Sequence, residues 1–256
     1  MEDWSARQYL KFEDERTRPV RDLLAAVPTT EVRSACDLGC GPGNSTELLI
    51  ARYPRASVVG VDNSPDMIAT ATKRLPDTAF ELADVTTWRP DRPVDLALSN
   101  ATLQWVPGHA AVFPHLLTLL APGGSLAVQM PSNGDEPCHR AMWGVAEGAP
   151  WGDKIVRARA SRTRVEPPGF YYGLLRPLVA RLDIWLTVYQ HPLAGPDAMI
   201  EWFKATGLRP YLAALDPDER VDYLERYRAA LAAAYPIQPD GMMLLPFPRL
   251  FIVATV

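Results

Sequence analysis

A mostly parallel sheet wound with helices on both faces is the fold this sequence predicts, and three observations predict it. Between residues 34 and 130 short apolar strands alternate with helix-length segments, a rhythm that needs crossover connections and therefore a parallel sheet. The first strand runs into a glycine turn, "SACDLGCGPGNST" (34–46), that opens a helix. The next two strands end on acidic residues, Asp62 and Asp84, and the first of these sits where nucleotide-binding sheets hold a ribose.

In chain order, residues 1–30 read as a helical arm carrying Trp4, Tyr9, Phe12, Val20, Leu23, Leu24 and Val27. Strands follow at 35–39, 57–62, 79–84, 94–100 and 124–130, and helices at 44–52, 65–74 and 109–120. Ser64, Gly108 and either Asn44 or Ser45 stand at plausible helix starts. "APGG" (121–124) ends one helix and restarts the sheet. Past Met130 the rhythm breaks. Residues 131–180 scatter Pro, Gly, Trp and Tyr, "LDIWLTVYQH" (182–191) reads as a strand, 196–235 as helical, and the chain ends in an apolar strand. Segments 131–180 and 192–240 are expected to form a mainly helical substrate cap on a single domain spanning 1–256.

Composition narrows the function. At 256 residues, with 48% hydrophobic and 22% charged residues, the chain can bury a core without disulfide or metal staples. A net charge of −4 without a long basic run argues against nucleic acid or an anionic membrane as main partner. The apolar runs are strand-sized and the polar, acidic start does not read as a signal peptide. With an odd count of three cysteines, this predicts a cytoplasmic protein. Cys36 and Cys40 lack metal-site spacing and read as space-fillers around the turn, and the four histidines show no metal-binding pattern either. His109 and His115 read as surface or packing residues, while His191 at a strand tip is a candidate substrate contact.

The glycine turn decides the ligand. Aligned on the dinucleotide fingerprint from Gly39, Gly41 fits, but Asn44 stands at the last position and Gly43 falls one residue early. Pro42 removes a backbone N–H that a phosphate cradle would use, and Asp37 would repel a pyrophosphate. No phosphate-loop lysine motif is present. The loop suits a phosphate-free ligand with a cationic end near Asp37. Asp62 can accept both ribose hydroxyls, or cap a helix, a task for which Ser64 is already placed. Asp84 can accept from an adenine amino group beside the Val85 N–H. Adenosine with a zwitterionic, cationic tail is S-adenosylmethionine.

"DLGCGPGNST", "NATLQW", "LAVQMPSN", "ATGLRPYL" and "FPRLFIVA", with the opening "DWSARQYLKFEDERTRP", resemble the class I S-adenosylmethionine-dependent methyltransferases, and among them the branch that esterifies trans-aconitate. The resemblance covers almost the whole chain. It implies a Rossmann-like, seven-stranded, mostly parallel sheet and transfer of the sulfonium methyl to a carboxylate, giving a monomethyl ester. It places Asp37, Gly39, Gly41 and Gly43 along the methionine moiety and Asp62 on the ribose. Asn63 and Met67 would flank the adenine, with Asp84 and Val85 at its edge. Asn100 and Ala101 would lie beside the methionine backbone or the methyl, and Trp105 would close that wall or pack against a helix. Trp4, Tyr9 and Arg18 of the arm would fold over the site.

The chemistry needs little machinery. A carboxylic acid has a pKa of about 4, so it is already a nucleophile at neutral pH and no general base or metal is expected. A tricarboxylate does call for cationic and hydroxyl donors. Arg209 and Arg249 are the arginine candidates, with Tyr171 and Tyr172 as hydroxyls, and "RARASRTRVE" (157–166) reads as a solvated helix face. Three other readings stand beside this one: a methyltransferase for a different metabolite, a nicotinamide oxidoreductase disfavoured by Pro42, and a non-catalytic S-adenosylmethionine sensor.

Overall fold

The structure, a computed structural model, describes residues 13–160, 163–204 and 206–256. Its sheet has seven strands: β1 (Ser34–Leu38), β2 (Ser57–Asp62), β3 (Ala79–Leu82), β4 (Val94–Asn100), β5 (Leu120–Pro131), β6 (Arg181–Leu193) and β7 (Met243–Thr255). Their order is β3-β2-β1-β4-β5-β7-β6. The first five strands pair in parallel. Hydrogen bonds from Gly123 N to Val256 O and from Ser132 N to Pro248 O match the start of β5 with the end of β7, so β7 runs antiparallel and the sheet is mixed. The order reverses between β1 and β4, and ligands of open α/β sheets bind outside the C-terminal ends of strands at such a switch.

Helices α1 (Glu13–Ala26), α2 (Asn44–Arg52), α3 (Pro65–Arg74) and α4 (His109–Leu117) connect or flank these strands. Helix α3 shows why the sequence starts helices where it does: the Ser64 side chain accepts from Met67 N at 3.4 Å, and Pro65 occupies the first turn, where its missing N–H costs nothing. Strand β4 is buried along nearly its whole length, as a central parallel strand covered on both faces must be. The expected "APGG" restart lies inside β5 instead. Val94 pairs with Leu120 and Leu96 with Ser125, so the extra residues bulge out of the strand without ending it.

Two compact units divide the chain. One holds the chain up to Pro131, with Val165–Thr187 and Leu250–Val256; the other holds Ser132–Arg164 and Val188–Arg249. The expected 131–180 segment is therefore split. It is also more regular than the sequence suggested, containing α5 (Pro137–Gly144), α6 (Gly152–Ala160) and α7 (Pro168–Leu175). Helices α8 (Gly195–Lys204), α9 (Arg209–Ala214) and α10 (Pro217–Ala234) complete the second unit. There, α10 is tied to α5 by buried tyrosines: Tyr223 donates to Met142 O at 2.9 Å and Tyr227 to Cys138 O at 3.0 Å. Met142 stands in the last turn of α5, where carbonyls lack an intrahelical partner and a side-chain donor satisfies one.

Helix α7 belongs to the first unit, and this corrects one substrate assignment. Tyr171 is fully buried in the core with Phe113 and Leu116, and Tyr172, one residue on, points out and is 56% exposed. The Tyr171 hydroxyl sits 2.7 Å from His109 Nδ1 and accepts from Glu166 N at 3.1 Å. His109 Nε2 lies 2.9 Å from Leu103 O, which accepts only, so Nε2 carries the proton and Nδ1 accepts from Tyr171. Burial pushes the phenol up to about 12, which keeps it a donor. Tyr171 is a core hydrogen-bonding residue with no hydroxyl proton left for a substrate. Tyr171→Phe is expected to lower unfolding stability by about 1–3 kcal/mol in denaturant titration, through the orphaned partners, while leaving substrate KM unchanged.

Candidate functional site

The candidate site is built at the C-terminal tips of β1, β2, β3 and β4 in the first unit. The loop after β1 takes left-handed backbone at Gly39 (φ 77°), Gly41 (φ 54°) and Gly43 (φ 91°). A Cβ on Gly39 would lie 2.1 Å from Thr102 Cγ2, so the loops after β1 and β4 touch backbone to side chain. Thr102 Oγ1 fastens the same contact by donating to Gly39 O at 3.0 Å. Around Gly41 a Cβ would meet nothing within 4 Å. The glycine at 39 serves the fold; that at 41 leaves open space above the turn.

No N–H of this turn points outward for a phosphate. Gly39 N and Cys40 N both donate to Val61 O, at 2.7 and 3.0 Å, and Gly43 N donates to Cys40 O at 3.1 Å. Gly41 N donates to Asp62 Oδ2 at 2.9 Å, and Pro42 has no N–H. A phosphate nest needs such donors free. What the site offers is acceptors. Asp37 is fully buried, with Oδ2 receiving Ser45 Oγ and Thr46 Oγ1 at 2.7 Å each. Its Oδ1 has no donor, and neither does Asn100 Oδ1 or Gln104 Oε1, among the described residues. Buried acceptors without donors are costly, and a cationic, N–H-bearing ligand is what relieves them. Burial raises the Asp37 carboxyl to about 6 against the hydrogen bonds from Thr46 and Ser45 that lower it.

The remaining tips fall into place around this. Asp62 Oδ1 accepts from Ser64 N at 2.9 Å, so each carboxylate oxygen holds a backbone donor. Ser64, not Asp62, caps α3, as the sequence implied. Asn63 is exposed and Met67 buried at the start of that helix. Strand β3 ends at Leu82, two residues short of Asp84, which sits exposed in the following turn with Oδ1 accepting from Thr86 N and Oγ1. Val85 beside it is buried. At the tip of β4, Ala101 has φ 53°, the one left-handed non-glycine among the described residues. That conformation costs an L-residue about 1–2 kcal/mol and marks functional backbone more often than random backbone. Ala101 N donates to Gln129 O at 2.9 Å and its carbonyl receives Gln104 Nε2, which fixes the strained residue on both sides. Trp105 is 39% exposed just beyond.

The comparisons with known proteins point one way. A model described as a methyltransferase domain matches residues 35–124, the stretch holding all four tips. Relatives named trans-aconitate 2-methyltransferase match end to end: that of Methylobacterium nodulans is 55% identical over 99% of this chain and 98% of its own, and that of Agrobacterium fabrum is 52% identical over 98% of each. The chain belongs to the trans-aconitate 2-methyltransferase family. Among solved structures, the YcgJ protein of a Bacillus aligns over 93% of this chain and 97% of its own at a TM-score of 0.61 and 12% identity, a likeness of fold. Phosphoethanolamine N-methyltransferase 2 of Haemonchus contortus aligns over 93% of this chain and 52% of its own at 0.54 and 13%.

This member of the trans-aconitate 2-methyltransferase family keeps two of its substrate candidates together. In the second unit, His191 is 7% exposed and lies 4.7 Å from Trp202 and 5.7 Å from Phe247, centroid to centroid. Arg249, 3% exposed, holds its guanidinium carbon 4.8 Å from the centroid of the same Phe247 ring and 6.0 Å from that of Tyr189. Arg209 is half-buried at the start of α9. Arg18 is exposed on α1, and Trp4 and Tyr9 lie outside the described residues. Sequence reasoning missed Thr102, Gln104, Tyr189 and Phe247. The last two were signalled by period-2 alternation, Tyr189/His191 on β6 and Phe247/Arg249 on β7.

The two glycines separate fold from ligand. Gly39→Ala is expected to abolish the folded loop, seen as a melting temperature lowered by several degrees or as insoluble protein. Gly41→Ala meets no neighbour, so its stability loss should stay near the roughly 1–2 kcal/mol of a left-handed alanine. Calorimetry on Gly41→Ala tests whether the open space above this glycine receives S-adenosylmethionine, the expected outcome being an affinity at least about tenfold weaker.

Proposed function

We propose that this chain transfers the methyl group of S-adenosylmethionine to a carboxylate of trans-aconitate, giving a monomethyl ester. One observation carries the cofactor half: the glycine turn has spent or lost every N–H from 39 to 43, while Asp37, Asn100 and Gln104 present buried oxygens that have no donor among the described residues. A dinucleotide's phosphates would find every N–H of residues 39–43 already engaged or missing. An aminoacyl sulfonium meets it with an ammonium and a positive sulfur. The substrate half rests on relatives of that name matching the chain from end to end. Arg249 and His191 support it chemically, as two nitrogen-bearing groups sharing one aromatic ring in the second unit.

When bound, S-adenosylmethionine supplies an activated methyl on a positively charged sulfur. The protein's own residues have three tasks. Asp37 would receive the ligand's ammonium at Oδ1, Asp62 its ribose hydroxyls, and Asp84 with Val85 the adenine edge, with Asn63 and Met67 flanking the base. Ala101, held in its strained conformation from both sides, would keep Asn100 at a fixed place on the β4 tip. Arg249 would grip a carboxylate in a two-pronged hydrogen bond, with His191, Arg209 and Tyr172 as further polar candidates. The nucleophile is ionised before it binds, so orientation and removal of water provide the acceleration; well-oriented reactants contribute roughly 7–11 kcal/mol.

Purified protein, methyl-labelled S-adenosylmethionine and a panel of di- and tricarboxylates test the reading. Label in a base-labile ester of trans-aconitate supports it; cofactor binding without turnover on any carboxylate overturns it. Arg249→Ala should raise trans-aconitate KM about 30-fold, the equivalent of about 2 kcal/mol, and leave S-adenosylmethionine affinity within twofold.

Asp37 adds a pH dependence. Its carboxyl ionises at about 6, above the ordinary 3.8, so in the free protein it favours folding at acid pH. That contribution is whole below about pH 4 and lost as the pH rises through 6. Binding a cation reverses the preference, because the ammonium pairs with the ionised form. S-adenosylmethionine affinity should therefore be flat above about pH 7 and fall toward tenfold per unit below 6. Asp37→Asn should weaken binding and remove the slope, as titration calorimetry across pH 5–8 would show.

A further inference from the structure

The turn after β3 holds back two polar groups from the protein's own hydrogen bonding. Asp84 Oδ1 accepts from Thr86 N at 2.8 Å and from Thr86 Oγ1 at 2.7 Å. Asp84 O accepts from Thr87 N at 3.1 Å and Trp88 N at 2.9 Å. No hydrogen bond among the described residues reaches Asp84 Oδ2 or Val85 N. An acceptor and a donor one residue apart complement the Watson–Crick edge of adenine, whose amino group donates and whose N1 accepts.

Little fixes where this turn sits. Strand β3 ends at Leu82, and Ala83 N donates to Asp62 O at 3.0 Å as the last ladder bond to β2. Among the described residues, the hydrogen bonds of 84–88 then stay inside the turn with one exception. The indole Nε1 of Trp88 donates to Glu81 Oε2 at 2.6 Å. Glu81 is held at its end by the sheet, opposite Val61 in the register of β2 and β3. Trp88 is held at the other end by the core, 7% exposed in the cluster that includes Val61 and Val85. A buried indole needs an acceptor for its N–H, and a carboxylate makes that bond short and strong. Because the acceptor is a side chain of β3, seven residues back, the bond closes a loop around Asp84 and Val85.

We propose that Glu81 and Trp88 are positioning residues whose clasp holds Asp84 Oδ2 and Val85 N toward the base together, selecting adenine over a base with the reversed donor–acceptor pattern. This rests on the reading above that Asp84 and Val85 receive the adenine edge. The clasp acts through those two residues alone. Breaking it weakens base recognition and leaves methyl transfer from the loaded enzyme intact.

The test uses the full-length protein and calorimetric affinities for S-adenosylhomocysteine and S-inosylhomocysteine, with melting temperature and initial rates for each variant. Hypoxanthine carries an oxygen in place of the amino group and a proton on N1, so it meets Asp84 with an acceptor and Val85 with a donor. The wild type should prefer the adenosyl ligand by about thirtyfold or more, since a site built for one pattern rejects its reverse. Trp88→Phe keeps a ring and loses the N–H, Glu81→Leu loses the acceptor, and Glu81→Gln keeps one. Trp88→Phe and Glu81→Leu should each narrow the preference about tenfold, through weaker S-adenosylhomocysteine binding alone. Their trans-aconitate KM, and kcat at saturating S-adenosylmethionine, should stay within about twofold of the wild type. Glu81→Gln should match the wild type throughout. A folded Glu81→Leu protein with wild-type preference, or one that loses both ligands in equal proportion, overturns the proposal. Should Trp88→Phe fail to fold, the exposed Glu81 decides: preference narrowed by Leu and kept by Gln supports the clasp, and equal preferences overturn it. Asp84→Ala separates the two ideas. No preference in the wild type, or wild-type preference in Asp84→Ala, overturns the adenine reading itself. Preference lost in Asp84→Ala but kept in both clasp-breaking variants overturns the positioning role alone.

Discussion

The carboxylate of Asp62 is the constraint on which the first unit's site depends. By accepting Gly41 N through one oxygen and Ser64 N through the other, it ties the glycine turn after β1 to the start of α3 after β2. That tie takes the only N–H in the middle of the turn, since Pro42 has none to give and the donors of Gly39, Cys40 and Gly43 already go to Val61 and Cys40 carbonyls. The chemistry of the site follows. A turn that has spent its donors internally cannot cradle phosphate, and the groups that remain around it are acceptors. A shared α/β scaffold thus becomes selective for a cationic nucleoside through where a few N–H groups point.

Most of the sheet half was legible in the sequence, for a physical reason. Parallel strands buried on both faces are continuous apolar runs, and the crossover helices between them carry strong start signals such as Ser64-Pro65 and Gly108. Helices α2 and α3 and strands β2 and β4 therefore fall where the residues place them. The stretch from 131 to 180 was illegible because its helices are short, eight or nine residues, and open on proline or glycine. Pro137, Gly152 and Pro168 look like breakers when read singly. In the structure each stands in a first turn, where a missing N–H or absent side chain is harmless.

The tyrosine pair shows the limit of reading candidates by residue type. Tyr171 and Tyr172 were grouped as hydroxyl donors because they are adjacent, but neighbours on a helix face different directions. One ring fills the core and gives its hydroxyl to His109; the other points to solvent. Nothing local in "GFYYG" distinguishes them. The distinction comes from α4, 62 residues earlier, whose His109 lacks a donor for Nδ1 once Nε2 has bonded Leu103 O.

The two units divide the chemistry unequally. In the first, polar groups are placed by backbone: strand tips, left-handed glycines and one strained alanine fix where each acceptor stands. Backbone placement suits a cofactor that is the same for every enzyme using it. In the second, Arg249 and His191 are placed by side chains, through Phe247, Tyr189 and Trp202. Side-chain placement can change by one substitution at a time without disturbing a strand. The family model stops at residue 124, within the first unit, whereas relatives more than half identical match the chain from end to end.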